Sequence, residues 1–233
     1  MKKIKIVLVI FPTLNEFENI PLVIDRLKKV IKSDILFVDD GSTDGTVELI
    51  QNLVKMNSHI SAIYREKKLG LGSAYREAYA YALTQDYEYL IQCDADGSHE
   101  IEKIPTMLAA ANNGAELVIG SRYVKGGSVS GWAKSRQFIS KVGNIYSRIT
   151  LGLKTKDNTA GFRLYNLETL RKIDFHKAKA NGYAFQVQMT YLFKEYKVDE
   201  VPIRFVERLH GKSKMNTKIA IEAILKIPLL RFH

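Results

Sequence analysis

The sequence predicts an α/β fold with a mostly parallel central sheet and helices on both faces. Three observations lead there. Short, almost wholly apolar runs such as "KIVLVIF" (residues 5–11), "DILFVDD" (34–40) and "YEYLIQCD" (87–94) have the length and composition of buried strands. Segments with apolar residues at helical spacing lie between them. Strand and helix alternate through the first half, the pattern of parallel crossover units. With 233 residues and 46% hydrophobic content, the chain suits one domain with a substantial core.

The elements follow in order. The opening "MKKIKIVLVIFPTLNE" mimics a secretory leader, but its apolar run is short and Pro12 to Glu16 offers no small-residue cleavage site, so it reads as the first strand. "NEFENIPLVIDRLKKV" (15–30) is the first helix. After the strand 34–40, "STDGTVELIQNLVKM" (42–56) is a helix with a Ser/Thr/Asp start. "ISAIYRE" (60–66) is a strand. "KKLGLGSAYREA" (67–78) lacks the Lys-Ser/Thr of a P-loop and the spacing of a dinucleotide fingerprint, so it reads as a tight turn into a helix over 72–85. After the strand 87–94, "HEIEKIPTMLAAANN" (99–113) is a helix and "AELVIGSR" (115–122) a fifth strand. The second half is less regular. It predicts a loop and then a helix over 128–153, a short strand at 159–166, a helix at 183–196 and a strand at 198–208. A terminal helix follows over 216–232, with Pro228 near its end.

Charge is divided along the chain. Residues 1–120 carry a net −4 and residues 121–233 a net +14. A uniformly basic chain would suit nonspecific nucleic-acid binding. An acidic half ahead of a basic half instead suits a site whose first part holds a cation and whose second part holds anions. A basic nucleic-acid-binding module would explain the second half but not the aspartates at two strand ends, and the chain has no zinc pattern or nucleic-acid motif. No nucleic-acid partner is therefore expected. The one cysteine, Cys93, excludes an internal disulfide and points to a reducing compartment. No run reaches the roughly 18 apolar residues of a membrane span.

Parallel sheets bind ligands beyond the carboxyl ends of their strands, where "VDDGSTDG" and "CDADGSH" both fall. Asp94 and Asp96 suit a hard cation such as Mg²⁺ or Mn²⁺, which prefers oxygen ligands; the alternative is a turn that caps the next helix. His99 reads as a capping or packing residue. Asp39, Asp40 and Asp44 crowd one loop and would repel unless they divide among backbone amides, a ribose hydroxyl and a base edge; the alternative is a turn and helix cap built on Ser42, Thr43 and Gly45. Pro12 stiffens the exit of the first strand, and Asn15 and Glu16 either start a helix or touch a ligand. Arg122, Arg136, Arg208, Lys212 and Lys214 are anion-binding candidates, because charge-assisted contacts to phosphate are strong.

The blocks "FPTLNEFENI", "VDDGSTDGT", "DADGSH", "GSRYVKGG", "GWAKSRQFIS", "TAGFRLYN", "GYAFQVQM" and "VPIRFVERLHGKSK" span residues 11–214. Through them the chain resembles the family 2 glycosyltransferases, and within these the dolichyl-phosphate (polyprenyl-phosphate) mannose synthases. The resemblance implies a GT-A, Rossmann-like domain over 1–233, with a nucleotide-sugar half at 1–120 and an acceptor half at 121–233. It implies an inverting hexosyltransferase that moves mannose from GDP-mannose to a polyprenyl or dolichyl monophosphate, with Mg²⁺ or Mn²⁺. UDP-glucose or another donor, or a saccharide acceptor, is the alternative on the same fold. By the resemblance, Pro12, Leu14, Glu16, Val38 and Asp40 line the nucleoside pocket. Many members have tyrosine where this chain has Leu14. Asp94, Ala95 and Asp96 lie at the diphosphate, and Asp96 holds the metal with Ser98 as a further ligand. Arg122, Arg208 and Lys214 hold the sugar nucleotide, and Arg136 holds the acceptor phosphate. Asp94, Asp96 and Arg122 form the catalytic set.

A lipid-borne acceptor raises the matter of the membrane. Residues 134–152 mix Lys134, Arg136, Lys141 and Arg148 with Phe138, Ile139, Val142, Ile145 and Ile149; the terminal helix combines Ile219, Ile221, Ile224, Leu225, Leu229 and Phe232 with Lys218, Lys226 and Arg231. Basic amphipathic helices of this kind bind interfaces, although a core-packed helix carries the same pattern. The expectation is a peripheral protein on the cytoplasmic face of a membrane; a membrane-anchoring partner subunit is compatible with the same sequence.

Overall fold

The structure, a computed structural model, describes residues 5–180, 182–208 and 227. Its centre is a seven-stranded sheet. The strands are β1 (Lys5–Thr13), β2 (Asp34–Asp39), β3 (Ile60–Tyr64), β4 (Tyr87–Gln92), β5 (Leu117–Ser121), β7 (Arg163–Asn166) and β8 (Val198–Pro202), in the order β3-β2-β1-β4-β7-β5-β8. All pair in parallel except β7, which runs antiparallel between β4 and β5. Two short strands, β6 (Ser128–Val129) and β9 (Arg204–Phe205), form a separate parallel pair.

The helices are α1 (Asn19–Val30), α2 (Thr46–Met56), α3 (Leu71–Leu83), α4 (Ile104–Asn112), α5 (Lys134–Leu151), α6 (Leu167–Lys172) and α7 (Tyr183–Leu192). Alternation of side chains along each strand divides the core in two. Val7, Val9 and Phe11 of β1 pack with Phe37 and Ile91 against α1 and α4. Leu8 and Ile10 pack with Leu36, Val38 and Leu90 against α3, α6 and α7. A strand buried on both faces cannot alternate with polar residues, which is why "VLVIF" (7–11) is apolar throughout.

The structure adjusts several expected elements. The strand expected at 159–166 begins only at Arg163, and residues 157–161 form a loop. Its direction follows from where the chain returns: Arg163 pairs beside Ile119 and Gln92, at the edge that β5 and β4 have just left. A strand re-entering from that edge runs opposite to its neighbours. The single strand expected at 198–208 is broken after Pro202, so that Arg204 and Phe205 pair with β6 instead. Helix α6 was not expected; at six residues it is too short for periodicity to reveal. Asn166 caps it by accepting from the Thr169 amide. Of the expected terminal helix, 216–232, only Ile227 is among the described residues; its named interfacial residues lie outside them.

One close approach fixes how the basic half meets the sheet. A Cβ on Gly120, in β5, would lie 2.7 Å from Phe162 and 3.2 Å from Ile203, both buried. Gly120→Ala should therefore lower stability by about 1–3 kcal/mol through overpacking. Denaturant titration checks this; an unchanged midpoint would mean the two elements separate freely.

Candidate active site

The carboxyl ends of β1, β2, β4 and β5 and the amino end of β7 converge on a cavity of about 330 Å³. It lies where the strand order reverses, on either side of β1 and β4, the expected place for a ligand in an open parallel sheet. Pro12, Leu14, Glu16, Asp40, Asp94, Ala95, Asp96, Arg122 and Arg208 all line it, so residues far apart in sequence do meet. Val38 does not line it: its side chain is fully buried in the core on the α3 side of β2, and the expectation of a pocket position is corrected. Val38 points off the face of the sheet, while Asp40, one residue past the strand, reaches the edge. Lys212 and Lys214 lie outside the described residues.

The three loop acids are held apart by separate sets of donors. Asp39 accepts from the Gly41 and Ser42 amides at 3.1 and 2.8 Å and from the hydroxyls of Thr13 and Ser42 at 2.9 and 2.6 Å. Asp40 accepts from the Leu69 and Gly70 amides at 2.8 and 3.0 Å and pairs with buried Arg65 at 3.0 Å. Asp44 accepts from the amide and hydroxyl of Thr46 and from the Phe17 amide. Burial opposes the Asp44 carboxylate, but the donors from Thr46 and Phe17 outweigh it and hold its pKa below the ordinary value. Of these acids only Asp40 lines the cavity. Backbone amides therefore do most of the work that the sequence left open between capping and ligand binding. Asn15, the one described non-glycine residue with positive φ (56°), stitches the first loop to the second through Ser42 and Thr43.

The segment after β4 is arranged differently. The Asp94 amide donates to His99 Nδ1 at 3.0 Å, and one Asp94 oxygen accepts from the Tyr75 hydroxyl at 3.2 Å. His99 is buried and stacked on Phe162 at 5.3 Å, so it is a packing and capping residue as read from the sequence. Accepting at Nδ1 places the proton of the neutral ring on Nε2, 3.8 Å from the other Asp94 oxygen. Asp96 accepts from the Ser98 amide at 3.0 Å and meets Arg208 at 3.2 Å. Arg26 of α1 clamps the turn through the carbonyls of Gly97 and His99. Burial raises the Asp94 pKa, and nearby Asp96 adds to that, while His99, Tyr75 and Arg208 act against it. The Ser98 hydroxyl is buried and without a hydrogen-bond partner among the described residues. Asp94 and Asp96 line the cavity and can offer carboxylate oxygens to a cation, whereas Ser98, 1% exposed, does not line it. Among the described residues no three His, Cys, Asp or Glu side chains converge as a metal cage.

Arg122 departs most from expectation. It lines the cavity, yet its Nε and Nη2 contact the two oxygens of fully buried Asp157 at 2.7 and 2.6 Å, and its own amide donates to Asp157 at 2.8 Å. Nη2 also donates to Thr159. Tyr123, Trp132 and Phe205 surround the guanidinium at 5.2, 5.4 and 5.6 Å. Burial disfavours its charge, but Asp157 more than compensates and raises its pKa. Arg122 is therefore a neutralised pair in the cavity wall, not the open cation expected from sequence. Asp157 was not singled out; its one signal is an acid placed just before "TAGF" in a strongly basic half. Arg136 lies in the first turn of α5, stacked 3.9 Å over Trp132 and 3.5 Å from Glu207. It adjoins the lining residues Trp132 and Tyr183 but is not itself among them. Trp132, Tyr183 and Gln186 are lining residues that the sequence reading gave no role.

The family model for Glycosyl transferase family 2 matches residues 8–174. An undecaprenyl-phosphate mannosyltransferase of Micrococcus luteus is 43% identical over 224 residues, covering 95% of this chain and 92% of that protein. A polyprenol monophosphomannose synthase of Mycolicibacterium smegmatis is also 43% identical over 224 residues, covering 94% and 84% respectively. Among solved structures, glucosyl-3-phosphoglycerate synthase of Mycobacterium tuberculosis matches with a TM-score of 0.69 over 97% of this chain and 80% of that one. At 18% identity it speaks to the fold alone, which is of the GT-A type. Crystals of that protein contain Mn²⁺ with UDP-glucose, and Mg²⁺ with UDP.

The Arg122–Asp157 geometry has a measurable consequence. Removing one partner strands a buried charge, which typically costs about 3–5 kcal/mol. Asp157→Leu and Arg122→Met should each destabilise by that order, and the double variant by much less than their sum. A denaturation double-mutant cycle reads the coupling; additive losses would mean the pair is not a unit.

Proposed function

The chain belongs to glycosyl transferase family 2, and from that premise we propose that it transfers mannose from GDP-mannose to a polyprenyl monophosphate. The observation that carries this reading is the acidic edge at the end of β4, where Asp94 and Asp96 line the cavity and Arg208 faces them. The names of the two 43% identical relatives support the lipid-phosphate acceptor and the mannosyl group. GDP as the nucleotide and a cytoplasmic membrane face are further parts of the same proposal.

The Asp94 and Asp96 carboxylates in the cavity lining, with the unpartnered Ser98 hydroxyl two residues beyond Asp96, fit Mg²⁺ or Mn²⁺ carried in with a diphosphate rather than held in an all-protein cage. Asp96 and Ser98, with Asp94 adjacent, would hold the ion, which supplies charge neutralisation for the departing diphosphate. The remaining work belongs to the chain. Pro12, Leu14, Glu16 and Asp40 line the nucleoside end, and the loop amides fix the Asp40 carboxylate. Arg208 meets the charge that develops on the leaving group.

The acceptor removes the need for a general base. Asp40 is committed to two amides and Arg65, and His99 Nδ1 to the Asp94 amide, so neither is an open general base. A phosphate monoester, whose second pKa is about 6, is largely dianionic near neutral pH and needs none. Its oxygen attacks the anomeric carbon as the bond to the β-phosphate breaks, GDP leaves with the electron pair, and the configuration inverts. Arg136, stiffened by stacking on Trp132, positions the acceptor phosphate.

No helix among the described residues is long and apolar enough to cross a membrane. Helix α5 buries Asn144, Ser147 and Leu151 and turns its apolar row outward: Phe138 is 68% and Ile149 70% exposed, with Ile139, Val142 and Ile145 between them. The sequence had left core packing and surface binding open for this helix. The exposed row, flanked by Lys134, Lys141 and Arg148, supports peripheral binding to an anionic membrane.

Purified protein with Mg²⁺ and polyprenyl phosphate, given radiolabelled GDP-mannose or UDP-glucose, should form lipid-extractable label from GDP-mannose. Label from UDP-glucose alone would reassign the donor. Asp96→Asn should cut turnover by about 10²–10³-fold, as expected for loss of an electrostatic group at the transition state, without lowering the melting temperature. For the membrane, the wild type should float with phosphatidylglycerol vesicles at low salt, and a Phe138→Asp/Ile149→Asp variant should not. Equal flotation of both would remove α5 from the proposal.

A further inference from the structure

Two glutamines are buried near the cavity, and they differ in one respect. Gln92, at the end of β4, is saturated: its Oε1 accepts from the Tyr79 hydroxyl at 2.5 Å, and its Nε2 donates to the Gly161 carbonyl at 2.8 Å. Gln186, on α7, is 2% exposed and lines the cavity, yet neither its Oε1 nor its Nε2 has a partner among the described residues. A buried carboxamide with both ends unmet is costly, and such groups are few in native proteins unless something outside the chain completes them.

Gln186 is held firmly. Gly182, at φ 61°, turns the chain into α7, and the Gln188 side chain accepts from the Ala180 amide at 2.8 Å to brace that turn. The preceding residue, Phe185, stacks on Tyr75 at 5.8 Å, and the Tyr75 hydroxyl is the one bonded to Asp94. The carboxamide is thus tied to the framework that sets Asp94, at the diphosphate side of the cavity, and not to the β1–β2 loops that carry Asp40.

The chemistry of the group narrows its partner. A carboxamide presents a donor and an acceptor side by side. Phosphate oxygens only accept and would leave Oε1 unmet; a cation would leave Nε2 unmet. Hydroxyls both donate and accept, so a pair of them, or one hydroxyl taken at both ends, satisfies the whole group. We infer that Gln186 is a specificity-determining residue that reads ring hydroxyls of the donor's hexose. This rests on the sugar-nucleotide reading above. Hexoses differ in the orientation of single hydroxyls, and a site built to bond one rejects a sugar that places it elsewhere.

The test compares wild type with Gln186→Leu, which keeps the approximate volume and removes both polar atoms. Calorimetry with Mg²⁺ present would measure GDP, GDP-mannose, UDP and UDP-glucose. The expected result has three parts. The melting temperature of the variant equals or exceeds that of wild type, because no native hydrogen bond is lost. Nucleoside diphosphate affinity stays within about twofold, and the gain in affinity from adding the hexose falls by about tenfold, the scale of one hydrogen bond. A lower melting temperature would make the amide structural. Equal losses for nucleoside diphosphate and sugar nucleotide would place it at the base or diphosphate. An unchanged hexose gain would remove it from recognition; each of these overturns the inference. Wild type that gains affinity from glucose rather than mannose overturns only the donor assignment, and the inference is then read on that sugar. Wild type that binds neither sugar nucleotide overturns both.

Discussion

Negative charge gathered at one edge of a parallel sheet is the constraint from which the rest of this molecule follows. The strands β1, β2 and β4 all point the same way, so their exits share one cleft, and the sequence loads those exits with Asp39, Asp40, Asp44, Asp94 and Asp96. Carboxylates in a partly dry cleft repel unless each finds donors or a cation. Backbone amides of the two loops settle the first three. Asp94 and Asp96 have fewer partners, the main cation being Arg208 at 3.2 Å from Asp96. This residual demand for positive charge is what would suit the cleft to the cation and diphosphate of the proposed reaction.

The basic half answers that demand in two ways. One is direct, through Arg208. The other is architectural: β7 enters antiparallel between β4 and β5, bringing the loop 157–161 to the same edge. Asp157 of that loop locks Arg122, and buried Arg163 grips the carbonyls of Asn158 and Ala160. The aromatic set Tyr123, Trp132 and Phe205 closes around Arg122, and Trp132 in turn supports Arg136. Cations here serve less as loose phosphate ligands than as a rigid wall whose shape is set by ion pairing and stacking.

The proposed phosphate acceptor has its own chemical logic. In the proposed reaction the nucleophile would arrive already ionised, so the site would orient it beside a like-charged diphosphate rather than deprotonate it. A wall of paired cations, with an exposed apolar row on α5 leading away from it, suits an amphiphile whose head is an anion.

The sequence by itself determined the α/β alternation, the strand exits as the site, the acid clusters and the family. These are local: a strand buried on both faces must be apolar along its length, and a turn holding an aspartate is written in consecutive residues. Leu14, Asp94, Asp96 and Arg208 were legible in this way and do line the cavity. Only the tertiary structure decided that β7 runs antiparallel, that Val38 faces the core, that Arg122 is consumed by Asp157, and that Gln186 reaches the cavity unpaired while Gln92 does not. The reason is that a side chain's charge state and free bonding capacity depend on which partner packs beside it, 35 residues away for Arg122 and Asp157, and no periodicity along the chain carries that information.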